Sequence, residues 1–284
     1  MQEKNEREFM INWKSKYADG VYLGISNEDY HADAALGSTG VKSLLKSPLG
    51  FWCNSSFNPV KSENKTSAAM KLGTAYHTLI LEPEKFNYEI IAGTKTTTKE
   101  GCLAEAEHNQ LKAMQEMLNS KSYHSALFKG GYPEVSVFWT DKETGIPCKC
   151  RFDYWKPHFV TDLKTMTSID DKNVRYQVRD FGYQLSAAMY MAGTNALREM
   201  IKAGNCAGIE SFDKKFIEDF SNAETRFVFL MQEKETPYDT RGLVINEATD
   251  DFYHGLSIAK EQWDLYGTEK WASPYQQIED FLIY

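Results

Sequence analysis

Between Pro133 and Thr165 apolar and polar residues alternate along three successive segments, and no other stretch constrains the architecture as tightly. PEVSVFWTDKETGIPCKCRFDYW (133–155) alternates on both sides of Asp141–Gly145, which is the signature of a β-hairpin. HFVTDLKT follows as a short third strand, with Phe159, Val160 and Leu163 apolar. On either side the spacing becomes helical. Ser38 or Thr39 can cap a helix through Val41, Leu44 and Leu45 that stops at Pro48. A second helix is expected over Ser67–Leu81, closed by Pro83, and a third over Leu103–Ser120. Val174–Ala192 has helical spacing again, and Arg226–Gln232 has the composition of a late strand. The order helix, three strands, helix, strand predicts an α/β fold with a central mixed sheet flanked by helices.

Within this frame one stretch carries chemistry. Asp153 ends the second strand, and Asp162 and Lys164, two apart on the third, emerge on one face. If those strands pair, the two aspartates can converge on a divalent cation with Lys164 beside them. Mg²⁺ and Mn²⁺ favour carboxylate oxygens and keep waters for substrate. Phosphodiester hydrolysis uses such an arrangement: the cation polarises the phosphate and acidifies an attacking water, and a lysine positions that water or offsets developing charge. D-x-K alone also occurs as a solvated ion pair. His77, on an otherwise apolar helix, is either a hydrogen-bonded core residue or a ligand opposite Asp153 and Asp162; Gly73, one turn earlier, would let that helix come close. Glu134 is either an exposed strand-edge glutamate or a further ligand.

The chain has 284 residues, 42% hydrophobic and 25% charged, with a net charge of −8. Such a composition supplies a core without disulfides, and the net charge argues against a general nucleic-acid binder. The charge is uneven: residues 233–284 carry 11 acids against 4 bases, while residues 1–232 carry 29 acids and 28 bases. The acidity therefore belongs to the C-terminal segment. Its aromatic residues Tyr238, Trp263, Tyr266, Trp271 and Tyr275 are expected to pack rather than stack on bases. Residues 1–20 are polar and expected to be loosely held, as are residues 54–66. MQEKNEREFM lacks the apolar segment of a secretion signal and no window offers a membrane span, which makes a cytoplasmic location the expectation. Cys148 and Cys150 are too close for a zinc knuckle and should share one strand face as reduced thiols.

These residues belong to a longer pattern. G-I-S-N-E-D-Y-H (24–31), Ser38 to Pro48, G-T-A-Y-H-T-L-I-L-E-P (73–83), Glu134 to Trp139, Arg151-Phe152-Asp153 and D-L-K-T (162–165) stand in order. In this the sequence resembles the exodeoxyribonuclease VIII (RecE-like) recombination nucleases of phages and prophages, in the PD-(D/E)xK nuclease superfamily. The resemblance implies a restriction-endonuclease-like core, about residues 67–232, in a single nuclease domain of residues 21–284. It places the active-site histidine at His77 and implies metal ligands His77, Glu134, Asp153 and Asp162, catalysis with Lys164, and supporting roles for Thr165, Arg151 and Tyr190. Two departures stand out. Phe152 replaces the proline of R-P-D, and Ser186 lies where family members carry a glutamine four residues before the tyrosine. Gln184 is no simple substitute, because it lies roughly 200° from position 186 around a helix.

The resemblance further implies a Mg²⁺-dependent 5′→3′ exonuclease, with Mn²⁺ able to substitute, that leaves 3′ overhangs on linear duplex DNA for a single-strand annealing partner. It implies a ring-shaped homo-oligomer threaded on DNA in a bacterial host. Related nucleases with an iron–sulfur cluster carry three clustered cysteines near the C-terminus; here none follows Cys206, so no cluster is expected. Lys42, Lys46, Lys149 and Arg151 are candidate phosphate contacts. An endonuclease or nickase, and a non-catalytic DNA-binding scaffold, remain the alternatives, because the catalytic cluster does not encode end dependence.

Overall fold

The structure, a computed structural model, describes residues 13–61 and 67–275. In chain order the elements are β1 (Gly20–Tyr22), α1 (Asn27–Ala32), α2 (Ser38–Lys46), α3 (Pro48–Asn54), α4 (Ala68–Leu81), β2 (Glu89–Ile91), β3 (Cys102–Ala104), α5 (Glu105–Ser120), α6 (Ser122–Ser125), β4 (Tyr132–Thr140), β5 (Pro147–Trp155), β6 (Phe159–Met166), α7 (Asp171–Asp180), α8 (Tyr183–Ala203), α9 (Lys214–Asn222), β7 (Arg226–Glu233), β8 (Thr240–Leu243) and α10 (Thr249–Tyr266). Six strands form a sheet in the order β1-β4-β5-β6-β7-β8. Among the described strands of this sheet only β6 and β7 run parallel, and the crossover between them carries α7 to α9. A separate parallel pair joins β2 and β3.

The hairpin forms as its alternation requires, with Val137 opposite Cys150 and Trp139 opposite Cys148. Cys148, Cys150 and Phe152 are buried on the sheet face covered by α8, in one core with Met189 and Leu197 and with Phe252 and Leu256 of α10, which packs on α2 and α8. The opposite face buries Leu163 and Leu230 against Tyr76 and Leu79 of α4 and Leu111 and Met114 of α5. Gly193 lets α8 lie this close to the sheet: a Cβ there would stand 2.5 Å from Cys150 Sγ and 3.1 Å from the Trp139 ring.

Several expectations shift in detail. Pro48 ends α2 but also opens α3, where its missing N–H costs nothing and Ser47 caps the turn. Ser38 and Thr39 do not cap α2; Gly37 holds that position without a side-chain bond. The helix expected over Val174–Ala192 is two helices, broken at Gly182, whose φ of +58° is left-handed. Residues 1–12 and 62–66, parts of the two segments expected to be loose, lie outside the described residues. The described remainder of the first is held: Trp13 is buried, and its Nε1 donates to Ala34 O at 2.8 Å.

The C-terminal aromatics mostly pack, as their sequence context implies. Trp271 is buried with Trp13, Phe51, Phe57 and Trp263 in one aromatic cluster, while Tyr275 is exposed. Among the described residues no helix is long and apolar enough to cross a membrane.

Candidate metal centre

The sheet opens where β5 and β6 part. Their ladder holds Tyr154 opposite Thr161 and Trp155 opposite Val160, and the next facing pair would be Asp153 and Asp162. There the backbone pairing stops. The Leu163 N–H donates instead to Asp153 Oδ2 at 2.7 Å, so a carboxylate fills the gap in the ladder. Side-chain alternation slips at the same level. Phe152 and Trp155, three apart, both pack on the α8 side, as do Tyr132 and Val135 on β4. The slip on β4 passes through Glu134, whose φ of +50° is left-handed. For a non-glycine residue that conformation costs on the order of 1–3 kcal/mol and persists only where its surroundings impose it.

The slip turns Glu134 and Asp153 toward α4, which carries His77 nearly three turns after its Ser67 cap. Ligand atoms of His77, Glu134 and Asp153 all lie within 4.8 Å of one another, with His77 Nδ1 3.6 Å from Asp153 Oδ2. The three line a cleft of about 1240 Å³ bounded by α1, α2 and α4. Arg151 braces it from below. Its guanidinium donates to Ser136 Oγ, Asn27 Oδ1 and Ile25 O, lies over the Tyr30 ring, and stands 3.7 Å from Glu134 Oε2. Burial, and then the negative charge of Asp153, push the Glu134 carboxyl up to about 8. Burial and the neighbouring Asp162 raise Asp153 to about 6. Carboxylates that ionise this reluctantly in an otherwise formed cleft are short of positive charge.

Asp162 lies deeper, 1% exposed. Tyr190 on α8 donates its hydroxyl to Oδ1 at 3.1 Å, and Lys164 Nζ stands 2.6 Å from Oδ2. That second contact is ionic without being aligned as a hydrogen bond, so Oδ2 remains a buried acceptor with no hydrogen-bond donor. Burial pulls the Lys164 amine down, but Asp162 and Asp153 outweigh it and hold the group protonated. Tyr190 is kept a donor, its phenol pushed far up by burial and by Asp162. Three converging ligands of hard-cation type and a neighbouring orphan carboxylate oxygen fit a divalent metal.

Residues 38–205 match the profile of DUF3799, a PDDEXK-like domain of unknown function. The chain belongs to this family. Its fold is similar to the crystal structure of a protein from Eubacterium rectale described as a presumed exonuclease. The TM-score is 0.52 at 14% identity, with 86% of this chain and 85% of the other covered. No curated protein matches the sequence. The fold is thus PDDEXK-like, with its central mixed sheet flanked by helices.

On this PDDEXK-like frame the remaining sequence candidates separate. His77, Glu134 and Asp153 meet, and Asp162, Lys164 and Tyr190 form the adjoining group. Phe152, in place of proline, is fully buried, and Asp153 beside it still lines the cleft. Thr165 faces α4, and a Cβ on Gly73 would find its Oγ1 at 3.9 Å, an ordinary contact, so closeness does not demand that glycine. Gln184 is exposed and takes no part. Ser186 is buried and accepts from Lys42 Nζ at 2.6 Å. Lys149 is spent on the backbone of α1 and its exit, donating to Tyr30 O and Asp33 O. With Arg151 equally occupied, neither is free for phosphate; Lys46 is exposed. Two features escaped the sequence reading: the anchoring of Arg151 by Asn27 and Tyr30, and the Lys42–Ser186 bond. The first had a signal in Gly24–His31; the second, spanning 144 residues, had none.

Proposed function

We propose that this protein is a metal-dependent exonuclease that degrades one strand of linear duplex DNA from the 5′ end and leaves a 3′ overhang for recombination by single-strand annealing. The observation that carries this reading is the meeting of His77, Glu134 and Asp153 beside Asp162 and Lys164 at the parting of β5 and β6. The PDDEXK-like fold supports nuclease chemistry, and the description of the Eubacterium rectale protein supports exonuclease action. Magnesium is the proposed cation, with manganese able to replace it. His77, Glu134 and Asp153 would hold it, with Asp162, paired to Lys164, as the neighbouring carboxylate. When bound it polarises the scissile phosphate and lowers the pKa of an attacking water. Tyr190 fixes Asp162 by hydrogen bonding. Lys164, kept cationic, orients the water or balances charge developing on the phosphate. Arg151 supports the site by holding Glu134 rather than by touching DNA.

Within this reading the partners are duplex DNA ends and a single-strand annealing protein, the assembly is a ring-shaped homo-oligomer, and the setting is the cytoplasm of a bacterial host carrying a phage or prophage. The test compares linear and covalently closed circular duplex with purified protein and Mg²⁺. The linear substrate should be degraded, its 5′-labelled strand releasing nucleotides first, and the closed circle should survive. Cutting of the circle would replace the exonuclease by an endonuclease or nickase built on the same site. Asp153→Asn and Asp162→Asn should each lower the rate on the order of 10³-fold or more. A wild type that binds DNA but cleaves neither form would leave the scaffold reading instead.

A further inference from the structure

Lys42 lies beside the centre just described yet has no task in it. Its Nζ donates to the buried Ser186 Oγ at 2.6 Å. Its stem crosses the start of α8 at Gly182, where a Cβ would stand 3.4 Å from Lys42 Cε and 3.5 Å from Cδ. Gly182 takes the left-handed turn between α7 and α8, and the Lys42 stem lies in ordinary contact with it. Tyr183, Ser186 and Tyr190 succeed one another on a single face of α8. Tyr183 lies under Lys164, with 6.0 Å from Nζ to the ring centroid, Ser186 holds Lys42, and Tyr190 holds Asp162.

Lys164 thus sits on Asp162, and Lys42 feels the charge of both. The Asp162 oxygens are engaged by Tyr190 and Lys164, and among the described residues no carboxylate lies within ion-pair distance of Lys42. Burial, and then the charge of Lys164, lower the Lys42 amine to about 8. Lys164 is balanced by Asp162 and Asp153, whereas Lys42 has no ion-pair partner of its own among the described residues, and an anion beside it relieves its burial and its repulsion by Lys164. An ammonium with two unused N–H donors suits a phosphate oxygen.

We propose that Lys42, tethered by Ser186, and Lys164 form a phosphate-binding site that holds a strand phosphate next to the metal ligands. The identity of that phosphate as part of DNA rests on the nuclease reading; the anion site itself does not. It also gives Ser186 a purpose: a short hydroxyl on α8 leaves space for a lysine from α2 where a longer amide would fill it.

Two measurements test the site. In the first, thermal unfolding of the metal-free protein is followed in inorganic phosphate and in chloride at equal ionic strength. Wild type should be stabilised by phosphate, as any ligand of the folded state stabilises it, and Lys42→Met should lose most of that rise. Ser186→Ala, which keeps the charge but frees the tether, should lose part of it and serves if Lys42→Met does not fold. A wild type indifferent to phosphate, or a Lys42→Met or Ser186→Ala protein that responds like wild type, would overturn the proposal. In the second, labelled duplex is titrated in the presence of a chelator at several salt concentrations. Lys42→Met should bind about tenfold more weakly at low salt, with the salt slope reduced by about 1. An unchanged slope in a folded Lys42→Met protein would mean that Lys42 only braces α2 on α8, and would also overturn it. A phosphate response in a wild type that cleaves no DNA would sink the nuclease reading and leave the phosphate site standing.

Discussion

Glu134 concentrates the chemistry of this chain in one residue, because its backbone and its side chain are both held in unfavourable states. Its left-handed φ and the raised pKa of its carboxyl have one origin, the slip that points it at Asp153. Glu134 and Asp153 have higher pKa values folded than unfolded, so between about pH 4 and about pH 8 the folded, metal-free protein binds more protons than the unfolded chain. Their contribution to stability is therefore complete at the acid end and is lost as pH rises through 6 and then 8. Chemical denaturation of the metal-free protein should show this loss between pH 5 and 8.5, and Glu134→Gln should flatten the alkaline half. Metal binding needs both groups ionised and should release protons near pH 7. Calorimetry of Mn²⁺ binding in buffers of different ionisation enthalpy reads that release; a buffer-independent heat would contradict the assignment of the two carboxyls to the metal. At this scale the sequence was informative about identity and silent about geometry. Asp162 and Lys164 were legible because a strand period of two puts them on one face, and Asp153 because the neighbouring strand carries it, although that strand runs on to Trp155 rather than ending at it. The approach of Glu134 was not, since no propensity scale anticipates a left-handed glutamate inside a strand.

Elements were legible in proportion to how much periodic burial each one contains. The hairpin of β4 and β5, the helix α4 and the strand β7 bury enough alternating or helical positions to be read directly. Edge strands β1 and β8, of 3 and 4 residues, are fixed by a neighbour's hydrogen bonds rather than by their own pattern, and neither could be foreseen. The break between α7 and α8 was hidden because helical spacing of apolar residues runs through it, and Gly182 alone marks the stop. Two glycines show how far α8 depends on such local permissions. Gly193→Val should destabilise the protein by about 1–3 kcal/mol, since its side chain would overlap Cys150 and Trp139 at the helix–sheet contact. Gly182→Ala introduces a Cβ at φ +58° against the Lys42 stem and should cost about 1–2 kcal/mol. The two are separable by urea denaturation and phosphate response together. Gly193→Val should lose stability while keeping the phosphate effect in the folded fraction. Gly182→Ala, by straining the turn from which α8 presents Ser186 to Lys42, should lose both.

At the scale of the whole molecule, the uneven charge and the packing of the chain ends constrain each other. The acidic segment after residue 232 extends the sheet through β8, and its helix α10 packs on α2 and α8, the two helices that carry Lys42 and Ser186. Its acids thus decorate a part of the body whose apolar side supports the site from behind, so the net charge of the chain does not describe the field inside the cleft. The clamp is aromatic. Trp271 is 1% exposed, donates to Gly267 O at 2.9 Å and packs its ring on Phe51 of α3 with centroids 5.2 Å apart, while Trp13 reaches the same cluster from the other end of the chain. Trp271→Ala should therefore cost about 3–5 kcal/mol, as for any large aromatic removed from a core. Its effect should also reach the site, because loosening α10 frees α2 and with it Lys42. The expected result is a lowered urea midpoint with an unchanged slope, together with a weaker phosphate response in protein that is still folded. A C-terminal segment that merely hangs from the nuclease core would instead give a variant with wild-type stability and wild-type phosphate response, and that outcome would separate the acidic segment from the working body of the protein.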